Sequence, residues 1–112
     1  MSSELDLTSR HCKPCKGGTS PMTHDEAQAS LKQVDAWQLS EDGRLISRRF
    51  GFENFYETMA FINAMAWIAN TEDHHPDFSA GYNYCLVNYT SHAIGGLSEN
   101  DFICAAKLNQ LL

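Results

Sequence analysis

Positive charge is scarce in this chain of 112 residues. Eight lysines and arginines stand against 14 aspartates and glutamates, for a net charge of −6 and a pI near 5.2. A nucleic-acid binder needs a basic stripe that displaces counterions from phosphates, and this balance argues against one. It argues equally against electrostatic docking on anionic membranes. Long apolar runs are missing as well. The longest stretch, around Met59 to Ile68, is interrupted by Asn63 and is too short to span a bilayer. The opening MSSELDLTSRHCKPCKGG contains no apolar run of the kind a signal peptide needs. A soluble cytoplasmic protein is expected, with no nucleic-acid or membrane partner. No internal repeat of solenoid length occurs. Without a secretory signal, the four cysteines are not expected to form a disulfide framework. Cys85 and Cys104 sit among apolar neighbours and read as small buried hydrophobes.

What remains is an ordinary globular balance with enough chain for one modest core. Residues 1–20 are polar and lack hydrophobic periodicity, so a flexible N-terminal tail is expected there, followed by a single domain over 21–112. Cys12 and Cys15 form a C-x-x-C in that tail beside His11. It is half a zinc ribbon without its partner half, and reads as a tail feature without catalytic duty. Thr23 followed by Glu26 is a capping box, and it predicts a first helix from Thr23 to Val34. Trp37 and Leu39 alternate with polar residues. Glu41-Asp42-Gly43 supplies a turn and Leu45 to Phe50 a return strand.

The segment from Phe52 to Asn70 repeats apolar residues at helical spacing over a wide face. Pro76 bars its continuation and pushes His75 toward an extended backbone. A second hairpin joins DFSA to YCLVNYTS around Gly81-Tyr82-Asn83. Cys85, Val87 and Tyr89 point to one side; Leu86, Asn88, Thr90 and, if the extended form continues, His92 point to the other. Ser98 caps a last helix with Asp101 at its third position. The expected fold class is α+β, in the order α-β-β-α-β-β-α. One four-stranded antiparallel sheet would carry three helices on one face.

His74 and His75 are the densest chemistry in the chain. Adjacent side chains on an extended segment point apart, which makes the pair poor joint ligands for one metal. As acid–base groups they fare better, because imidazole titrates near neutral pH. Asp73, Asp77 or Asp101 could orient an imidazole. A solvated polar loop is the plain alternative. Trp37 reads as core, or as a wall for an aromatic ligand.

In combination the pieces are more specific. HHP, a hairpin containing an aromatic, then TSH, then GLSENDF opening the last helix resembles the pterin-4a-carbinolamine dehydratase family. The residues that carry the resemblance are His74, His75, Pro76, Tyr82, His92 and Asp101. HCKPCKGG and the DAW around Trp37 are also similar to members. One position departs: Asn70 stands where the family commonly has an acid, four residues before the first histidine. The resemblance implies loss of water from a 4a-hydroxytetrahydropterin, with His74, His75, His92 and Asp101 as catalytic residues. It implies Trp37, His75, Pro76 and Phe78 as substrate contacts. No metal and no other cofactor is implied. The expected partners are the pterin, further copies of the chain in a homodimer or homotetramer, and a functional link to an aromatic amino acid hydroxylase. A weakly catalytic or non-catalytic assembly factor on the same fold is the alternative.

Overall fold

Capping decides where the long helices begin. The computed structural model describes residues 4–112. Thr23 accepts from the Glu26 amide while the Glu26 carboxylate takes the Thr23 N–H, so helix α2 runs His24–Leu31. Asn54 caps the Glu57 amide at 2.9 Å and starts helix α3, Phe55–Glu72. This start lies three residues later than the apolar spacing from Phe52 suggests, because Asn54 holds an extended backbone. Helix α4, Glu99–Asn109, opens on Ser98, whose N–H donates to Asp101 Oδ2 at 3.0 Å.

The sheet has the order β1-β2-β4-β3, all antiparallel, with strands Gln38–Leu39, Ile46–Gly51, Asp77–Ala80 and Tyr84–Tyr89 for β1 to β4. Gly43 sits at φ 72° in the β1–β2 turn, a conformation that disfavours side chains. Strand β4 alternates as expected: Cys85, Val87 and Tyr89 are buried and the residues between them are half-buried. These three meet Ile46 and Phe50 of β2 and the buried residues of α4 in one core. α4 is the most enclosed element, with Phe102 to Ala106 and Leu108 all buried. The expected layering of helices on an antiparallel sheet is therefore the observed one.

The N-terminal residues differ from expectation. Glu4–Thr8 form a short helix, α1, which packs on α4 and buries Leu7 to 2% exposure. Glu4 accepts from the Asp35 amide and from the side chains of Asn109 and Gln110. Lys107 Nζ donates to the Thr8 carbonyl at 3.0 Å. A loop through residues 9–20 then continues along α4. The described part of the expected tail is thus docked; residues 1–3 of it lie outside the described residues. One buried leucine and a set of side-chain clamps do this, and neither leaves a periodic signal.

Candidate active site

The end of α3 sets the site. Asp73 adopts a left-handed backbone, φ 52° and ψ 42°, and closes the helix. The amide of His74 returns to the Ala69 carbonyl at 3.1 Å, so the chain reverses there. The two histidines then diverge. His74 turns inward, with its side chain 12% exposed, while His75 stays at the surface.

His74 Nε2 lies 2.6 Å from Asp101 Oδ1. Asp101 is fully buried, and its other oxygen accepts from Ser91 Oγ at 2.9 Å and from the Ser98 amide. An ionised carboxylate can only accept, so the proton of the short bond sits on Nε2. Nδ1 is then the ring nitrogen left to meet a ligand. The imidazole also stacks on Tyr89, with ring centroids 5.8 Å apart and planes 10° apart. Tyr89 is itself buried, and burial pushes its phenol far up in pKa; its hydroxyl has no hydrogen-bond partner among the described residues.

His74 and His92 line one open cavity of ≈ 540 Å³, together with Ser91, Asn100, Glu72 and residues 12–15. That volume falls in the usual range for small-molecule sites. Strand β4 ends at Tyr89, so His92 is not carried on an extended strand. It opens a single 3-10 turn, His92–Ile94. It stays exposed at the rim, its Nε2 3.5 Å from Asp77 Oδ2.

The remaining expected site residues lie elsewhere. His75, Pro76 and Phe78 line a smaller hollow of ≈ 130 Å³ with Asn70, and this hollow shares no lining residue with the first. His75 Nε2 donates to Asn70 Oδ1 at 3.1 Å, so Asn70 partners the second histidine and not the first. Trp37 is 5% exposed in the core, where its Nε1–H donates to Asn109 Oδ1. Its ring centroid lies 5.9 Å from that of Tyr89, which stacks on His74. It packs in the core and is not among the residues that line the cavity. Among the described residues, no group of three or more His, Cys, Asp or Glu side chains is placed to hold a metal ion.

Residues 12–15, Glu72, Ser91 and Asn100 are lining that periodicity and spacing did not reveal. For residues 12–15 the only sequence signal was the HCKPC string itself. Glu72 is buried, and its carboxylate accepts from the Cys12 amide at 2.7 Å and from His11 Nδ1 at 2.9 Å, with Lys107 Nζ 3.6 Å away. Burial alone would raise this carboxyl. The Cys12 N–H, His11 and Lys107 more than offset burial and hold its pKa below the ordinary 4.5. A depressed folded pKa gives stability that is complete above the unfolded value, and it is lost as pH falls through the folded one. The stability gap between wild type and Glu72→Gln should therefore be full at pH 7 and should close as pH drops below about 4.5. Thermal melts of both proteins from pH 7 to pH 3 measure it. A gap that stays constant would show that the charge of Glu72 contributes nothing.

Comparisons with known proteins give the family. The family model for pterin 4 alpha carbinolamine dehydratase matches residues 20–111. The chain belongs to this family. A relative from Nitrosomonas eutropha is 58% identical over all of this chain and 98% of its own length, and one from Nitrosomonas europaea is 56% identical over 99% and 97%. Both carry the name "Putative pterin-4-alpha-carbinolamine dehydratase". A crystal structure of a transcriptional coactivator/pterin dehydratase from Brucella melitensis superposes with a TM-score of 0.77. It is 32% identical and covers 82% of this chain and 98% of its own. A pterin dehydratase-like protein identified as a RuBisCO assembly factor in the alpha-carboxysome shares the fold, at a TM-score of 0.60 and 22% identity, over 68% of this chain and 88% of its own. No helix among the described residues is long and apolar enough to cross a membrane.

Proposed function

We propose that the protein dehydrates 4a-hydroxytetrahydropterins to the quinonoid dihydropterin by histidine acid–base catalysis. The observation that carries this reading is the His74–Asp101 pair, buried on one side and facing a cavity of substrate size on the other. In the reaction the C4a–O bond breaks and hydroxide leaves with a proton from a general acid. The ring nitrogen beside C4a loses its proton to a general base as the C=N bond forms. The sum is one water released, with no change of oxidation state. Two positioned imidazoles suffice, and each such group is worth about 10²–10⁴-fold.

In this assignment His74, held through Nε2 by Asp101, exchanges its proton through Nδ1. His92 faces the same cavity as the second acid–base group. His75, with Pro76 and Phe78, is a substrate contact from the neighbouring hollow. Trp37 acts indirectly, by backing Tyr89, which backs His74. The reaction makes the protein a hydro-lyase that serves tetrahydropterin recycling beside an aromatic amino acid hydroxylase in the cytoplasm. Assembly into a homodimer or homotetramer is supported by the exposed Phe55, Tyr56 and Trp67 on α3 and by the position of β3 at the edge of the sheet.

A stopped-flow experiment tests the reading. A pterin-dependent hydroxylase generates the carbinolamine, and its disappearance is followed with and without the purified protein. Decay accelerated in proportion to protein concentration is expected. Decay at the buffer rate would refute the activity.

A further inference from the structure

Residues 12–15 line the same cavity as His74, and they lie outside the residues that the family model matches. Four contacts from a single side chain and its backbone hold them. Asn100 Oδ1 accepts from the Lys13 amide at 3.0 Å, and Asn100 Nδ2 donates to the Lys13 carbonyl at 2.6 Å. This two-way pairing copies the exchange between neighbouring strands. The same Nδ2 reaches Cys15 Sγ at 3.3 Å, and the Asn100 carbonyl accepts from Cys12 Sγ at 3.6 Å. Asn100 is 7% exposed and directly precedes Asp101 on the first turn of α4. One turn of helix therefore fixes both the carboxylate that orients His74 and the segment that lines the cavity with it.

We propose that residues 12–15 are a wall of the pterin pocket, and that Asn100 is the positioning residue that sets this wall. The inference rests on the dehydratase reading and extends it. A flat bicyclic ring gains from being enclosed on a second side, because enclosure removes water around the reacting carbon. The backbone of a docked segment can supply this closure only while it is held in register. Asn100 touches neither reacting atom; it acts through the segment.

The wall has its own reporter. Cys15 is half-exposed at the cavity, whereas Cys85 and Cys104 are buried. Cys12 is a poor competitor for a thiol reagent: its contact with Cys104 at 3.6 Å, with burial and the Glu72 charge, pushes its pKa far up. In the wild-type protein, saturating 7,8-dihydropterin should slow the labelling of Cys15 at least about fivefold, since a bound ring covers the thiol. Peptide mass mapping locates the label. Asn100→Ala should raise KM for the carbinolamine about tenfold, with kcat changed by less than about threefold, because a lost wall weakens binding more than it alters proton transfer. Asn100→Asp keeps the acceptor for the Lys13 amide and loses the donor, so its KM should fall between the two.

Labelling of Cys15 that is indifferent to dihydropterin, when fluorescence titration shows the compound bound, would overturn the wall. A loss in kcat at unchanged KM in Asn100→Ala would overturn the positioning role. Should that variant fail to fold, Cys15 protection in the wild type decides alone. A wild type that neither dehydrates the carbinolamine nor binds dihydropterin would bring down the dehydratase reading, and the wall with it.

Discussion

Exchanging Asp101 for asparagine is expected to lower kcat/KM for carbinolamine dehydration by about 10²–10⁴-fold, the range of one acid–base group. The reason lies in how the two carboxylate oxygens are divided. Oδ2 serves the fold, accepting from Ser91 Oγ and the Ser98 amide; Oδ1 serves the site, accepting from His74 Nε2. An asparagine can keep one carbonyl oxygen for the helix cap. It must then present its NH₂ group to His74. Nε2 would have to accept, the ring proton would move to Nδ1, and the nitrogen facing the cavity would carry the wrong protonation state. The same logic applies wherever a buried carboxylate fixes a catalytic imidazole tautomer. Helix α4 keeps its cap, so thermal stability should fall much less than activity.

A double-mutant cycle sharpens this. His74→Ala alone should cost as much as Asp101→Asn, and the combination should cost no more than either, because the two side chains act as one unit. His92→Ala added to His74→Ala should lower the rate further, toward that of buffer. Stopped-flow rates at matched protein concentration give the comparison. Independent, additive losses from His74 and Asp101 would mean that Asp101 acts only as a helix cap.

How legible this site was depended on whether the governing interaction was local. Ser98 with Asp101, and Thr23 with Glu26, are three residues apart, and both were readable as caps. The divergence of His74 and His75 followed from their adjacency and from Pro76. That Asp101 serves His74 rather than another imidazole was not readable, because 27 residues separate them and only the packing of α4 brings them to 2.6 Å. Asn70 shows the limit from the other side. Its position suggested a bearing on His74, yet the left-handed turn at Asp73 rotates the loop so that His75 meets it. Alternation persists in the letters as far as His92, which left a strand continuation open. Ser91 and Gly96 instead pair across a short loop and fold it into a 3-10 turn.

The docked N-terminus gives the largest expected effect on stability. Leu7→Ala should destabilise the protein by about 2–5 kcal/mol, the usual cost of truncating a buried leucine. A domain of this size has roughly 5–15 kcal/mol in all, so one residue of a five-residue helix would hold a sizeable share. At roughly 4 °C per kcal/mol, Tm should drop by about 8–20 °C. Leu5 is the internal control. It lies on the same short helix but is 66% exposed, and Leu5→Ala should stay within about 0.5 kcal/mol of wild type. Composition cannot separate the two leucines, because five helical residues hold too little periodicity to mark a face. What distinguishes Leu7 is the surface of α4 that receives it, and α4 lies some ninety residues further along the chain. Equal melting temperatures for the two variants would mean that α1 does not pack on α4 in solution. A large fall for Leu7→Ala alone would establish that the domain begins before residue 20, and that the segment lining the cavity with His74 is anchored on its N-terminal side.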